Sequence, residues 1–247
     1  MILTSSRAKE IRKLRKNYSF SKIPEYWDCV KNTDKLALLV GAINGDGHLQ
    51  LGIGRGLVSF YSKNMYEIED FRKIFSKLFN KKGIIYKNYR NSKRHRIYYS
   101  GKPLAMFLES VGVIVGNKTN SKFLVPDWII NGNSSLKSHY LKGLYDTEGS
   151  VVFSRERWQI TINQSKNEKL RENGIKYFNQ LRNLLIGFGM TPSPVIICRG
   201  KRKPRKDGSK TFVFKLDLEF KDFQKFYNHV GFNNRKKLKR LNKALNT

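Results

Sequence analysis

The sequence contains few cysteines and histidines, which excludes several kinds of site. Its two cysteines, Cys29 and Cys198, stand alone and far apart, so neither a disulfide framework nor a cysteine zinc site is indicated. The four histidines are scattered along the chain. Zinc nucleases hold their metal with clustered His and Cys ligands, and the sequence excludes a site of that type.

Long apolar runs are also absent. The longest run, Leu36 to Ile43, is too short to cross a bilayer, and the basic segment Met1 to Lys16 has no apolar stretch of the kind found in signal peptides. These two features predict a soluble, intracellular protein of the cytoplasm or an organelle matrix, with no membrane partner.

Negative charge is scarce, whereas positive charge is abundant. The chain has 49 Lys and Arg against 19 Asp and Glu, which gives a formal net charge of +30. Such an excess favours a polyanionic partner, of which nucleic acid is the commonest. The length of 247 residues is enough for one large domain or for two smaller ones, each with its own core.

Two nine-residue stretches share one pattern. LVGAINGDG begins at Leu39 and LKGLYDTEG begins at Leu141, and each has glycine third, a carboxylate eighth and glycine last. A glycine inside a helix costs about 1 kcal/mol relative to alanine, so the third position needs a compensating reason. A small residue follows four positions later, which gives each helix a face for close helix packing. We expect the two helices to pack on each other.

The last turn of each predicted helix carries the carboxylate. Gly47 and Gly149 are predicted to be left-handed residues that end the helices, which puts Asp46 and Glu148 at the negative end of each helix dipole. Two carboxylates that face each other there would repel. A divalent cation between them would remove the repulsion, and oxygen ligands of this kind suit Mg²⁺.

These stretches resemble the motifs of the LAGLIDADG homing endonucleases, in the single-chain form with two motifs. The matching residues are Leu39, Gly41, Asp46 and Gly47 in the first copy, and Leu141, Gly143, Leu144, Asp146 and Gly149 in the second. Glu148 keeps a carboxylate where the family more often has aspartate, and Asn44 replaces an aspartate. The resemblance implies an α+β fold of two pseudo-symmetric αββαββα domains that form a β-saddle for DNA, with the motif helices at the domain interface.

The hydrophobic pattern supports a duplication. In each half it predicts helix, two strands, helix, two strands and helix. The elements are expected at 34–46, 48–53, 57–62, 65–79, 84–89, 97–100 and 104–111, and again at 135–148, 151–153, 158–163, 168–188, 195–198, 211–218 and 221–230. Echoes such as YSKN and QSKN extend the repeat. We divide the chain into a basic N-terminal extension (1–33), a first LAGLIDADG domain (34–125), a linker (126–134) and a second LAGLIDADG domain (135–247).

The residues expected to bind DNA fall into two groups. Outward residues of the strands should read base edges in the major groove, and they are His48, Gln50, Ser59, Tyr61, Arg94, Arg96, Gln159, Thr161, Asn163 and Lys215. Basic residues at or near the hairpin tips should hold phosphates, and they are Lys63, Lys87, Arg90, Arg155, Arg157, Lys201, Arg202 and Arg205. The ordinary alternative for such basic tips is that they only keep the protein soluble.

The resemblance also implies a set of catalytic residues. Asp46 and Glu148 would bind two or three Mg²⁺ ions, for which Ca²⁺ or Mn²⁺ can substitute in crystals, with help from the backbone carbonyls of Gly45 and Thr147. These metals would polarise the scissile phosphate, acidify the attacking water and stabilise the leaving 3′ oxygen. Side chains around them would assist by stabilising charge or orienting the water, and the candidates are Lys118, Lys237 and Gln164, with Lys63 and Lys166 as rivals for the lysines.

The leading hypothesis is a monomeric, site-specific endonuclease for double-stranded DNA. It would hydrolyse one phosphodiester bond per strand at a long asymmetric site and leave short 3′ overhangs, as the family resemblance implies. Two alternatives stay open, namely an RNA maturase that assists intron splicing and a DNA-binding protein that has lost catalysis. The acids at both eighth positions favour the nuclease, because an inactive binder is expected to have lost at least one of them.

Overall fold

The computed structural model describes residues 33–87, 89, 93–154, 156–199 and 208–247. The chain divides into two compact units, Met1–Gly116 and Asn117–Thr247. Each unit has a four-stranded antiparallel sheet with helices packed against it, so the predicted α+β class is confirmed. Within the described residues, no helix combines the length and the apolar character that a bilayer span requires.

The first unit follows the predicted order of elements. Its elements are α1 (Thr33–Asp46), β1 (Gly47–Gly52), β2 (Arg55–Ser62), α2 (Met65–Phe79), β3 (Ile84–Tyr86), β4 (His95–Ser100) and α3 (Lys102–Ser110). The strands lie in the order β1-β2-β4-β3. Helix α2 has the predicted bounds because its apolar residues recur at helical spacing, and it is capped by Asn80, which has the left-handed φ of 46°.

Strand alternation separates the two faces of this sheet. Val58, Phe60, Ile97 and Tyr99 are buried on the face that packs against the helices. Aromatic stacking fills this core, since the ring centroids of Phe75 and Tyr99 are 3.6 Å apart. The residues that alternate with these, including several predicted DNA-binding residues, therefore lie on the other face.

The second unit repeats this order and adds two helices. Its elements are α4 (Asp127–Ile130), α5 (Ser134–Glu148), β5 (Gly149–Ser154), β6 (Arg157–Asn167), a 3₁₀ turn (Glu168–Leu170), α6 (Arg171–Ile186), β7 (Ile196–Arg199), β8 (Thr211–Glu219), a second 3₁₀ turn (Phe220–Asp222), α7 (Phe223–His229) and α8 (Arg235–Leu245). The strand order is β5-β6-β8-β7, the same as in the first sheet.

Helix α8 was not predicted. It packs on β5 and α7, and Leu241 and Ala244 are fully buried. The side chain of Asn234 accepts hydrogen bonds from the backbone N–H groups of Lys236 and Lys237, which starts the helix. This cap, followed by apolar residues at helical spacing, was the available signal, but the dense positive charge of the segment concealed it.

The boundary between the units lies earlier than the predicted one. The structure places it after Gly116, whereas the first domain was expected to reach 125. The reason is a set of bonds to α6, in which the N–H groups of Phe123 and Val125 donate to the side chains of Asn173 and Gln180. The predicted linker, 126–134, also contains α4, so the segment 117–134 belongs to the second unit. Residues 1–32 of the predicted extension lie outside the described residues.

The left-handed conformation predicted for Gly47 and Gly149 is wrong. Gly149 is extended, with φ −76° and ψ 161°, and Gly47 is not among the glycines with positive φ. Each is instead the first residue of a strand that turns back directly over the preceding helix. A Cβ on Gly149 would lie 2.6 Å from the carbonyl oxygen of Tyr145, and one on Gly47 would lie 2.6 Å from the Cα of Ile43. Close approach is therefore the reason for glycine at both positions.

We expect Gly47→Ala and Gly149→Ala to lower the free energy of unfolding by about 1–3 kcal/mol or more, because the added methyl group overlaps backbone atoms. Urea unfolding followed by circular dichroism measures the loss. The matched control is Gly52→Ala at the end of β1, where an added Cβ has no neighbour within 4 Å. Equal stability of all three variants would contradict this explanation.

Candidate active site and nucleic-acid interface

A cavity of about 250 Å³ lies in the second unit at the C-terminal end of α5. Helix α5 contributes Glu148 as its last residue, β6 contributes three successive residues, and the loop before α4 contributes the rest. The lining residues are Lys118, Thr119, Phe123, Glu148, Asn163, Gln164 and Ser165. Three of the predicted catalytic residues, Lys118, Glu148 and Gln164, therefore line one cavity.

Glu148 is partly buried beside a pair of tyrosines. The hydroxyl groups of Tyr140 and Tyr177 lie 3.3 Å apart in the core of the unit. Burial raises the pKa of Tyr177 well above its ordinary value, and the negative charge of Glu148 adds to the shift. Glu148 therefore lies close enough to Tyr177 to influence the pKa of its hydroxyl group, which stays neutral. Glu148 also faces the cavity from the C-terminal end of α5.

Lys237 occupies a different place from Lys118, although the two align in the repeat. Its Nζ donates hydrogen bonds to the carbonyl oxygens of Tyr145, Asp146 and Thr147 at 3.0, 2.7 and 3.1 Å. A cation there offsets the negative end of the α5 dipole. Lys237 therefore supports the helix that carries Glu148, and it is not among the residues that line the cavity. The Thr147 carbonyl, a predicted metal ligand, is one of its acceptors.

The sixth position of each motif fastens the motif helix to the end of its own repeat. Asn44 is buried, and its side chain accepts from the N–H of Ile114 at 3.0 Å and donates to the carbonyl of Gly112. Asp146 accepts from the N–H groups of Asn233 and Asn234 at 2.8 and 2.9 Å. Ile114 and Asn233 align in the repeat, so the substitution of asparagine for aspartate preserves this connection.

Asp146 carries a charge that its surroundings disfavour. Burial raises its pKa from 3.8 to about 6, although the two backbone N–H groups and Lys237 partly oppose that shift. Between about pH 4 and pH 6 the folded state therefore holds a proton that the unfolded state releases. The free energy of unfolding consequently falls as pH rises through this range.

We expect Asp146→Asn to be more stable than the wild type above pH 6, by up to about 3 kcal/mol, because it removes the buried charge and keeps an acceptor. The advantage should shrink as pH falls from 6 to 4, as measured by urea unfolding at each pH. Asn44→Asp is the reciprocal variant and should lose stability at neutral pH. A difference between wild type and Asp146→Asn that does not change with pH would contradict the assignment.

The structure separates the rival lysines Lys63 and Lys166. Lys63 follows β2 and is exposed, whereas Lys166 near the end of β6 is 1% exposed. The Nζ of Lys166 donates to the carbonyl oxygens of Lys118 and Ser121 at 3.2 and 2.6 Å. Lys166 is therefore turned under the loop that lines the cavity, which leaves Lys118 as the lysine of the cavity wall.

The outer face of the first sheet carries an arginine among tyrosines. The guanidinium of Arg96 lies 4.9–5.8 Å from the ring centroids of Tyr61, Tyr89 and Tyr98. Its Nε and Nη2 donate to Ser59 Oγ at 3.2 and 2.9 Å, and its Nη1 donates to the Tyr89 hydroxyl at 3.1 Å. Ser59 is consequently 1% exposed and covered, contrary to the expectation that it faces a ligand.

The outer face of the second sheet has a different arrangement at the same positions. Lys215, which pairs in register with Asn163 as Arg96 pairs with Tyr61, forms a 2.8 Å ion pair with Asp217. Thr161, the counterpart of Ser59, is only 5% exposed, so it too is covered. Asn163 is exposed and Gln159 is partly exposed. The two faces therefore present different chemistry despite their common topology.

The remaining predicted residues divide by exposure. Asp46, at the end of α1, is exposed, His48 is partly exposed and Gly45 is buried. The remaining predicted DNA-binding residues that are exposed near the strands and their hairpins are Gln50, Lys87, Arg94 and Arg157. Arg90, Arg155, Lys201, Arg202 and Arg205 lie outside the described residues. The described ranges contain no group of three or more His, Cys, Asp or Glu placed to hold a metal. Because Asp46 and Glu148 belong to different units, their shared metal site stays a prediction.

Some residues of the candidate sites were not predicted. Tyr98 could have been found, because it alternates with the buried Ile97 and Tyr99 on β4. Thr119 and Phe123 line the cavity from a loop that has no periodic pattern, so the sequence offered no signal for them.

Comparison with known proteins identifies a domain and a set of distant relatives. Residues 33–112 match the model of a LAGLIDADG-like domain. The chain is 25% identical over 215 residues to the tRNA-splicing ligase RtcB of Pyrococcus abyssi, covering 80% of this chain and 23% of that protein. Two proteins of Methanocaldococcus jannaschii are also similar. They are the replication factor C small subunit, 28% identical over 66% of this chain and 10% of that protein, and glutamine–fructose-6-phosphate aminotransferase, 24% identical over 87% and 18%.

The chain spans less than a quarter of the length of these curated relatives. Among solved structures, the homing endonuclease I-WcaI bound to its DNA recognition sequence is similar with a TM-score of 0.51 and 18% identity, covering 89% of this chain and 92% of that one. At this identity the likeness concerns the fold. The domain match over residues 33–112, the identical strand order of the two sheets and this neighbour agree on the fold. Residues 33–112 therefore match a LAGLIDADG-like domain, and the chain has the two-domain fold seen in the homing endonuclease I-WcaI.

Proposed function

We propose that this protein is a site-specific endonuclease that hydrolyses both strands of duplex DNA with the help of Mg²⁺. The observation that supports the proposal is the cavity at the end of α5, where Glu148, Lys118 and Gln164 meet. A carboxylate, an amide and an ammonium group around one cavity can bind a cation, a water and a phosphate. A DNA-binding protein without catalysis has no need for this combination.

The variety of the relatives supports a function for this chain that differs from the functions for which those proteins are named. An RNA ligase, a replication factor and an aminotransferase have no chemistry in common, yet each resembles this chain over a small part of its length. A segment found in such different proteins is expected to carry an activity of its own. The gene of a homing endonuclease inserts into other genes, which would explain this distribution.

The residues of the cavity fit a hard divalent cation. Glu148 offers carboxylate oxygens, which are ligands that Mg²⁺ prefers, and Asp46 would contribute the matching carboxylate of the first motif. The Thr147 carbonyl, the other predicted ligand on α5, accepts a hydrogen bond from Lys237. When bound, the cation would polarise the scissile phosphate and lower the pKa of the attacking water. Lys237 keeps the end of α5 in place through its three hydrogen bonds and thereby orients Glu148.

The other residues of the cavity would act directly on the phosphate and the water. The Lys118 ammonium would neutralise the negative charge that develops on the phosphoryl oxygens in the transition state. The Gln164 amide would hold the water by a hydrogen bond in line with the bond that breaks, and the proton of the water would pass to solvent. Phosphate charge and water position would thus be fixed by two neighbouring elements, the loop before α4 and β6.

The outer faces of the sheets would position the duplex. Arg96 has five N–H groups, of which three make the hydrogen bonds to Ser59 and Tyr89. Counting only bonds to the described part of the chain, one N–H on each terminal nitrogen is left, and arginine uses such pairs to contact base edges or phosphates. In the second sheet the corresponding Lys215 is paired with Asp217. The two half-sites should therefore differ, which supports a long and asymmetric target.

One observation favours a second candidate, an RNA-binding maturase. Tyr86 and Tyr98 stack with ring centroids 5.7 Å apart on the outer face of the first sheet, beside Tyr61 and Tyr89. Aromatic rings next to arginine are typical of proteins that stack unpaired bases. A maturase should prefer a structured RNA over duplex DNA of any sequence, so competition between the two nucleic acids separates the candidates.

The test of the proposal is incubation of the protein with a plasmid library of random inserts in Mg²⁺, followed by sequencing of the ends. We expect ends that share one long asymmetric motif with a short 3′ overhang. Binding to duplex DNA without any cut in Mg²⁺ or Mn²⁺ would overturn the nuclease. Binding that an excess of structured RNA removes, together with intact plasmids, would support the maturase instead.

A further inference from the structure

The loop formed by residues 117–125 builds one wall of the cavity. It contributes Lys118, Thr119 and Phe123 and contains no regular helix or strand. Several side chains hold it on the second unit, including Asn173, which bonds both the N–H and the carbonyl of Phe123. The backbone N–H of Asn167 also donates to the carbonyl of Thr119 at 2.9 Å. The position of Lys118 consequently depends on groups outside the loop.

Lys166 lies directly under this loop. It shares the inner face of β6 with the buried Ile160 and Ile162, so strand alternation directs its side chain away from solvent. Its Nζ donates to the carbonyl oxygens of Lys118 and Ser121, and it lies 3.2 Å from the ring centroid of Phe123. The loop therefore folds around one amine at three of its residues.

Within the described ranges this amine forms no ion pair, which makes its burial costly. No carboxylate of the described residues pairs with Lys166, and burial lowers its pKa from 10.5 to about 7. A leucine or methionine would fill the same space without that cost. Lys63, which occupies the corresponding position in the first repeat, is exposed and carries no such cost. A gain specific to the second unit is therefore needed to explain the buried lysine.

We propose that Lys166 is a positioning residue, which fixes the backbone of residues 118–121 so that Lys118 stays in the wall of the cavity with Glu148. Lys166 would act through Lys118 and would not touch the substrate. The inference rests on the proposed function only where cleavage is measured, because the order of the loop can be followed without any nucleic acid.

The first measurement is hydrogen–deuterium exchange of the intact protein over residues 117–125. Lys166→Met removes the donors and keeps most of the volume, and Lys166→Arg keeps donors and a cation over the ring. Lys169→Met, at an exposed lysine three residues further on, is the matched control. We expect exchange in this loop to rise at least about tenfold in Lys166→Met and to stay near the wild-type rate in Lys166→Arg and Lys169→Met.

The second measurement separates positioning from general stability. In Lys166→Met the single-turnover rate of DNA cleavage should fall about 10–100-fold, the usual effect of removing a group that orients an active-site residue, while the Kd for the target duplex stays unchanged. Three outcomes would overturn the proposal. Hydrogen exchange of residues 117–125 could be unchanged in Lys166→Met, or it could rise while the cleavage rate stays at the wild-type value. The cleavage rate could also fall equally in Lys166→Met and Lys166→Arg. If no variant and no wild type cuts DNA, the proposed function fails, and the exchange experiment still decides whether Lys166 orders the loop.

Discussion

Replacing Glu148 with glutamine is expected to slow cleavage of a duplex that contains the target site by more than about 100-fold, the loss that even indirect partners of a metal ligand can cause. Glutamine has nearly the same volume as glutamate but no negative charge. It should therefore leave the fold and the cavity intact while it removes the strongest oxygen ligand for Mg²⁺. DNA affinity should change little, because the outer faces of the sheets are untouched.

Single-turnover cleavage of a labelled duplex measures this effect, with binding measured in parallel in Ca²⁺. Asp46→Asn removes the corresponding acid of the first repeat and should be similarly inactive. Glu172→Gln is the matched control, because Glu172 is an exposed acid on α6 that pairs with its neighbour Arg171. Cleavage by Glu148→Gln at the wild-type rate would show that the cavity at the end of α5 is not the catalytic one.

The affinity for duplex DNA is expected to fall by about 10³-fold or more when the salt concentration rises from 50 to 200 mM. Each phosphate that a lysine or arginine neutralises releases a counterion, so a protein with a net charge of +30 should release many. Fluorescence anisotropy of a labelled duplex at five salt concentrations gives the slope of log K against log salt. A slope near zero would mean that the positive charge does not face DNA.

Single charge deletions then locate the contacts. Lys87→Gln, beside the tip of the hairpin between β3 and β4, should reduce the slope by about one if it holds a phosphate. Lys176→Gln is the matched control, since this exposed lysine lies on α6, which packs against the second sheet. The same reduction in both variants would indicate a diffuse effect of charge and no defined hairpin contact.

Hydrophobic spacing predicted most helices and strands because burial on one face fixes their period. Helix α2 has the predicted bounds, and the strands differ from their predicted bounds by a few residues at the ends. The conformation of Gly47 and Gly149 could not be predicted in this way. A glycine after a helix is compatible both with a left-handed cap and with a strand that turns straight back, and only the position of Tyr145 or Ile43 distinguishes them.

The candidate site was predicted residue by residue from the motifs, and the outcome depended on what covers each residue. Glu148, Lys118 and Gln164 line one cavity, and their catalytic roles stay a prediction. Ser59 lies on the predicted face of the sheet, but the side chain of Arg96 covers it. Strand alternation predicts the face on which a residue lies and does not predict what covers it. Lys237 aligns with Lys118 in sequence, but alignment does not reveal that its ammonium is engaged by three carbonyls of α5.

The hydrogen bonds of Asn44 and Asp146 have a consequence for how such a chain can arise. Each joins the motif helix of a repeat to a residue 70 or 88 positions further on, so that the helix is bonded to a segment near the end of its own repeat. A second copy of the repeat therefore contains all the residues that form this hydrogen-bonded connection. Tandem duplication would therefore preserve these hydrogen bonds in both copies, and afterwards either copy could exchange aspartate for asparagine independently of the other.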